Sequence, residues 1–255
     1  MIFIVMIFII FIISFLIFIY ITRIMVDAEI INFLVKDNDD YCKSMSNPDI
    51  RARKSIDYKD YIKRVVKEQK TSNKELNIKD YIILLFACIR ADLYFYNLDH
   101  ELIPKNNYIH KILWKFGFIK SNLYENKYPH TRNDIIFIHI DILKSIYTIE
   151  KYYDFVALLI HEKLHIYQRY NNISVDKVLL KHNIERKHLR KYFKLVRANP
   201  DLNDWIYNDK NGKLMMSIYN SPYPSGINDV TNKTEYEHPY EMISYIIENK
   251  YRDGN

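Results

Sequence analysis

The chain has 255 residues, 49% of them apolar and 15% aromatic, with 37 Lys and Arg against 31 Asp and Glu for a formal charge of +6. That is ample apolar material for a well-filled core and excludes a disordered chain, while scattered basic residues without an RNP-like aromatic signature give no reason to expect a nucleic-acid partner. Only Cys42 and Cys88 occur, which excludes a disulfide framework and a thiolate metal cage and leaves His, Asp and Glu to hold any metal.

Residues 1–22 read MIFIVMIFIIFIISFLIFIYIT, without a charge. As a helix the run is long enough to cross a hydrocarbon core of about 30 Å, and it lacks the polar face of a soluble helix. With no basic start and no small-residue cleavage site, it predicts an uncleaved single-pass transmembrane anchor, hence a membrane location with the lipid bilayer as partner. Arg23, Lys36 and Lys43 weight their flank toward the cytosol, and the side of the body stays open. Residues 23–49 read as a juxtamembrane linker, its polar stretch KDNDDYCKSMSNPD (36–49) as a tether, and 50–255 as the body.

Helical periodicity runs over 53–69 and over 75–96, the second placing Ile82, Leu85, Phe86, Ile89 and Leu93 on one side. After Pro104, IIFIHI (135–140) predicts a strand, and Thr148 predicts the N-cap of a helix from 149 to 170. A further helix is expected over 184–197, ended by Asn199-Pro200. In WIYNDKNGKLMMSIY (205–219) alternating apolar residues flank Asn211-Gly212, a hairpin signal suited to a type I′ turn, and SPYPSG (221–226) is a loop. Pro239 opens a last helix. The expected fold class is α+β, with a small mixed sheet and an active-site helix behind one N-terminal transmembrane helix.

Within ALLIHEKLHIYQRY (157–170), His161 and His165 stand one helical turn apart and project from one face, so two imidazoles can share one cation. Catalytic zinc takes three protein ligands and keeps a position open, and Glu162 is placed to serve as general base. A chance HExxH match in a chain of this composition has a probability of about 0.015. Satisfied core histidines are the alternative, but two buried imidazoles and a carboxylate are costly without a compensating partner, and Zn2+ compensates all three.

HEKLHIYQR resembles the active-site helix of zincin metallopeptidases. YPHTRNDIIFI before it and EHPYEMISY after it resemble segments of uncharacterised zinc metallopeptidase-like proteins of large DNA viruses, over about residues 110–250. The resemblance implies a zincin-like catalytic domain, a peptide or protein substrate, and a substrate-aligning edge strand at 135–140. HEKLHIYQRYN lacks the glycine and third histidine of metzincins, so the gluzincin pattern, a glutamate from a later helix, fits better. Candidates for the third ligand are Glu235, Glu237, His238 and Glu241, with Glu241 favoured because it falls in the first turns of the helix opened by Pro239. Tyr245 stands four residues after Glu241, where thermolysin-like gluzincins carry an acid. Tyr219, Tyr223, Tyr240 and Arg169 are candidate oxyanion donors, and His130 reads as a turn residue. The expected function is zinc-dependent peptide hydrolysis; a catalytically silent zinc-containing scaffold tethered to the membrane, or hydrolysis of a non-peptide amide or ester, are the competing expectations.

Overall fold

The computed structural model describes residues 22–254 apart from 106, 200, 201 and 233. Strand β1 (Thr22–Ile24) leads into helices α1 (Asp27–Lys36), α2 (Asn47–Ala52), α3 (Tyr58–Thr71) and α4 (Ile78–Tyr96). Strands β2 (Trp114–Ile119), β3 (His130–Arg132) and β4 (Ile135–His139) follow, then α5 (Ile140–Lys144), α6 (Ile149–Tyr170) and α7 (Asn172–Lys181). Strands β5 (Glu185–Leu189), β6 (Trp205–Asn208), β7 (Leu214–Met215), β8 (Ser217–Tyr219) and β9 (Val230–Asn232) precede the last helix, α8 (Pro239–Asp253).

The architecture is mixed α/β with three small sheets. Among the described residues no helix is long and apolar enough to cross a membrane, which corrects the expected fold class with its transmembrane helix and the expected single-pass membrane location. The apolar run itself lies almost wholly outside the described residues. Thr22, counted in the anchor, belongs instead to β1, which pairs parallel with β2 through Thr22 and Trp114. The presumed linker is folded too. Helix α1 buries Ile30 and Leu34, and the Asp37 carboxylate accepts from the Cys42 and Lys43 amides, so polar residues that read as a tether tie a packed turn together.

The largest sheet has the order β1-β2-β4-β3, parallel except for β3. Strand β4 is an inner strand with all five residues buried, because both faces are covered. Ile136 and Ile138 join the main core with α4, α6 and α8, whereas Ile135 and Phe137 join a second cluster with α1 and α3. The edge-strand role expected at 135–140 therefore fails, and β3 is the edge on that side.

Helix α6 starts where expected: the Thr148 hydroxyl accepts from the Lys151 amide at 3.3 Å. Helix α4 starts later than expected, with Asn77 as its cap, and buries Leu84, Leu85, Ala87, Cys88, Ala91 and Phe95, so of the expected side Leu85 is inside while Phe86 and Leu93 are exposed. Its apolar residues encircle it, so periodicity could not choose the inner face. The helix expected at 184–197 is instead β5 and a 3-10 turn, paired antiparallel with β6. The hairpin at β6 and β7 forms, but only Gly212 takes a left-handed conformation (φ 79°), and the Asp209 carboxylate ties the turn by accepting from the Asn211 and Lys213 amides.

Candidate metal centre

Helix α6 lies between α4 and α8, and its buried stretch runs without interruption from Phe155 to Gln168 apart from Leu158. His161 and His165 sit in the middle and second half of that stretch facing α8, and Pro239 at the first turn of α8 sets Glu241 opposite them. The His161 Nε2 atom lies 3.2 Å from Glu241 Oε2, and His165 Nε2 lies 3.5 Å from Glu241 Oε1. Donor atoms of the three residues all fall within 4.8 Å of one another.

A divalent cation fits these donors. Ligands held about 2.0–2.1 Å from a tetrahedral zinc stand roughly 3.3 Å from each other, close to the two histidine–glutamate spacings of 3.2 and 3.5 Å. The tautomers agree as well. His161 Nδ1 donates to Glu248 Oε2 at 2.8 Å, and His165 Nδ1 donates to Gln168 Oε1 at 2.9 Å while Gln168 Nε2 donates to the Tyr240 carbonyl at 3.0 Å. With each Nδ1 committed to its own partner, each Nε2 is the ring atom that faces Glu241 and that a cation would take. Charge points the same way: burial works against a charged His161, yet Glu241 and Glu248 outweigh it and raise its pKa well above the usual value. Burial likewise raises the Glu241 carboxyl, but the two histidines hold it well below its usual range. The spot favours a positive charge.

The other candidates for the third ligand are engaged elsewhere. Glu237 accepts from Arg197 at 2.7 Å and from Asn199 Nδ2 at 3.1 Å. His238 caps α8, its Nδ1 accepting from the Tyr240 amide at 3.1 Å and its Nε2 donating to Asn203 at 3.3 Å; burial pushes its pKa down to about 3, so it is neutral. Glu235 does not join the cluster. Asn199 Nδ2 also donates to Glu241 Oε1 at 2.9 Å, so one amide braces both carboxylates.

Glu162, next to His161 on α6, is 5% exposed and lines a cleft cavity of about 460 Å³ together with His161, His165 and Glu241. A second cavity of about 230 Å³ shares Tyr41 and His165 with it, and a third of about 400 Å³ shares Arg197, Glu237, Glu241 and Tyr245. His165 and Glu241 thus stand where the main cavity adjoins the other two. Strand β3 borders two of them, His130 lining the first cavity and Thr131 and Arg132 the second.

Among the expected oxyanion donors, Tyr219 donates to Asp49, Tyr240 to Asp176, and Arg169 to the Thr131 and Asn133 carbonyls, while Tyr223 lies 73% exposed beneath Arg51. Tyr245 instead faces the site, its ring 4.7 Å from that of His161 and its pKa pushed up to about 12 by burial and by Glu241 and Glu248. Glu248, Gln168 and Asn199 were not assigned from sequence. Gln168, three residues after His165, and Glu248, seven after Glu241, are on helix faces already of interest; Asn199 has no local signal.

Comparison of the chain with protein-family models, with curated proteins and with solved structures gives no match.

Proposed function

We propose that the protein is a zinc-dependent peptidase of the gluzincin pattern. The observation that carries the reading is the convergence of His161, His165 and Glu241, each braced by its own hydrogen-bond partner, with Glu162 lining the same cleft. Zinc, when bound, supplies a Lewis acid that polarises a carbonyl and lowers the pKa of water. His161, His165 and Glu241 would hold it, and Glu162 takes the proton from the attacking water and delivers it to the leaving nitrogen. The cavities that adjoin at His165 and Glu241 leave room for more than one residue of a bound chain.

The test separates holding the ion from using it. Glu162→Gln should keep its fold and stoichiometric zinc while peptide cleavage falls by a factor on the order of 10² or more, as for loss of a general base. His161→Ala and His165→Ala should lose zinc and cleavage together. Wild-type protein that takes up no zinc would overturn the reading, and a fully active Glu162→Gln would overturn the proposed proton path.

A further inference from the structure

Residues 177–194, KVLLKHNIERKHLRKYFK, hold seven Lys and Arg and one acid, and the remainder of the chain holds 30 of each sign. The whole formal charge of +6 therefore sits in 18 residues, and the basic excess that looks scattered in the total is concentrated. Neutralisation within the fold is partial. Arg186 pairs with Asp176, Lys187 with Glu185 at 2.5 Å and Arg190 with Asp204 at 2.9 Å. Lys177, Lys181, Lys191 and Lys194 are exposed, and among the described residues no salt bridge engages them. Lys177 and Lys181, one turn apart, share the solvent side of α7, whose Val175 and Leu179 are buried.

The position of this surface gives it a use. The chain leaves the cleft at Asn172, which lines the cavity beyond His165, and returns to it at Arg197 and Asn199, which line the main cavity. Lys194 is three residues from Arg197, so the basic excursion is rooted in the cleft at both ends. Lys177 and Lys181 precede strand β5 and Lys191 and Lys194 follow it, so the unneutralised lysines form two pairs; each attracts anions over roughly a Debye length of about 8 Å and raises their encounter rate, and an extended acidic segment can reach both. Aliphatic side chains lie among them: Ile173 is 70% and Leu180 56% exposed, whereas Tyr192, at 71%, is the one aromatic of this stretch that is similarly open. Nucleic-acid bases require aromatic stacking platforms, while a peptide mixing acidic and apolar residues can use lysines and aliphatics together.

We propose that the 177–194 surface is an exosite that captures acidic segments of a protein substrate and feeds the adjoining chain into the cleft; this rests on the peptidase reading. The first measurement is direct binding of the full chain to a peptide of about ten glutamates and to single-stranded polyuridine of equal charge, at low and physiological salt, since phosphate binding should show the steeper salt dependence. The glutamate peptide should bind, and the variant Lys177→Glu/Lys181→Glu/Lys191→Glu/Lys194→Glu should bind it at least about tenfold more weakly with circular dichroism and zinc content unchanged. Tighter binding of the polyuridine, binding of neither, or an unaffected variant would overturn the proposal. The second measurement compares cleavage of one neutral target sequence with and without an acidic tail. The tail should lower KM without changing kcat, and the variant should close the gap. Cleavage indifferent to the tail removes the exosite and leaves the peptidase, whereas peptide binding without any cleavage removes the peptidase reading and leaves an acidic-partner surface.

Discussion

Glu241 and Glu237 lie four residues apart, yet one faces two imidazoles and the other an arginine. Glu241→Ala should therefore lower zinc affinity by more than about 100-fold, and Glu237→Ala should leave it near normal, as read by competition with a chromophoric chelator. Glu248→Ala and Gln168→Ala remove partners of the imidazole Nδ1 atoms and should each cost about 10–100-fold. The reverse result, a loss at Glu237 with Glu241→Ala near normal, would transfer the ligand role. A second pair reports on pH. Glu125 is buried, accepting from Arg53 Nε at 2.9 Å and from the Tyr61 hydroxyl at 2.9 Å. Burial alone would raise its pKa, but Arg53 and these hydrogen bonds hold it below the usual carboxylate range. Its contribution is thus present above the unfolded value of about 4.3 and is lost as pH falls through the lower folded value. Glu125→Gln strands a buried guanidinium and should cost roughly 3–5 kcal/mol at neutral pH by denaturant titration. That deficit relative to wild type should shrink in acid; a deficit constant down to about pH 3 would show the pair is not the cause.

At the scale of elements, two local features position α6 and the sheet beneath it. The Thr148 cap satisfies an amide at the start of the helix that carries His161 and His165, so Thr148→Ala should lower stability by about 1 kcal/mol, with Thr148→Ser nearly neutral. Gly117 in β2 lies directly opposite Phe137 in β4, and a Cβ there would stand 2.4 Å from the phenyl ring. The ring occupies the space a side chain would need, and it packs with the second cluster under α1 and α3. Gly117→Ala should cost about 1–3 kcal/mol through overpacking, and the double variant Gly117→Ala/Phe137→Leu should recover part of it in thermal melts.

Across the whole molecule, the candidate centre joins helices that are far apart in sequence. His161 and His165 come from α6, Glu241 from α8, and the bracing Asn199 from the segment before β6. An ion bound by all of them ties these parts together only in the folded state. At a free zinc concentration about 1,000 times Kd the stabilisation is roughly 4 kcal/mol, or on the order of 10 °C in melting temperature for a chain of this size. Chelation should remove that increment from wild type and have no effect on His165→Ala. A wild-type melting curve indifferent to both zinc and chelator would count against the centre.

What the sequence determined by itself was local. Thr148, Pro239, Asn211-Gly212 and the run at 135–139 act through the backbone conformations and hydrogen bonds of their immediate neighbours, so the ends of α6 and α8, the hairpin and β4 were legible. The one-turn spacing of His161 and His165 belongs to the same class. Tertiary structure decided the rest. Polar 36–49 became a packed turn because Asp37 finds the Cys42 and Lys43 amides, and Arg132 reaches Asp37 at 2.7 Å from 95 residues away. The stretch 184–197 gave up helix for strand because β6 offers backbone partners that a helical period cannot reveal. Tertiary structure also set Glu241 against the two imidazoles while turning Glu237 to Arg197 and His238 to Asn203, since hydrogen-bond competition at a buried site depends on which distant groups arrive there.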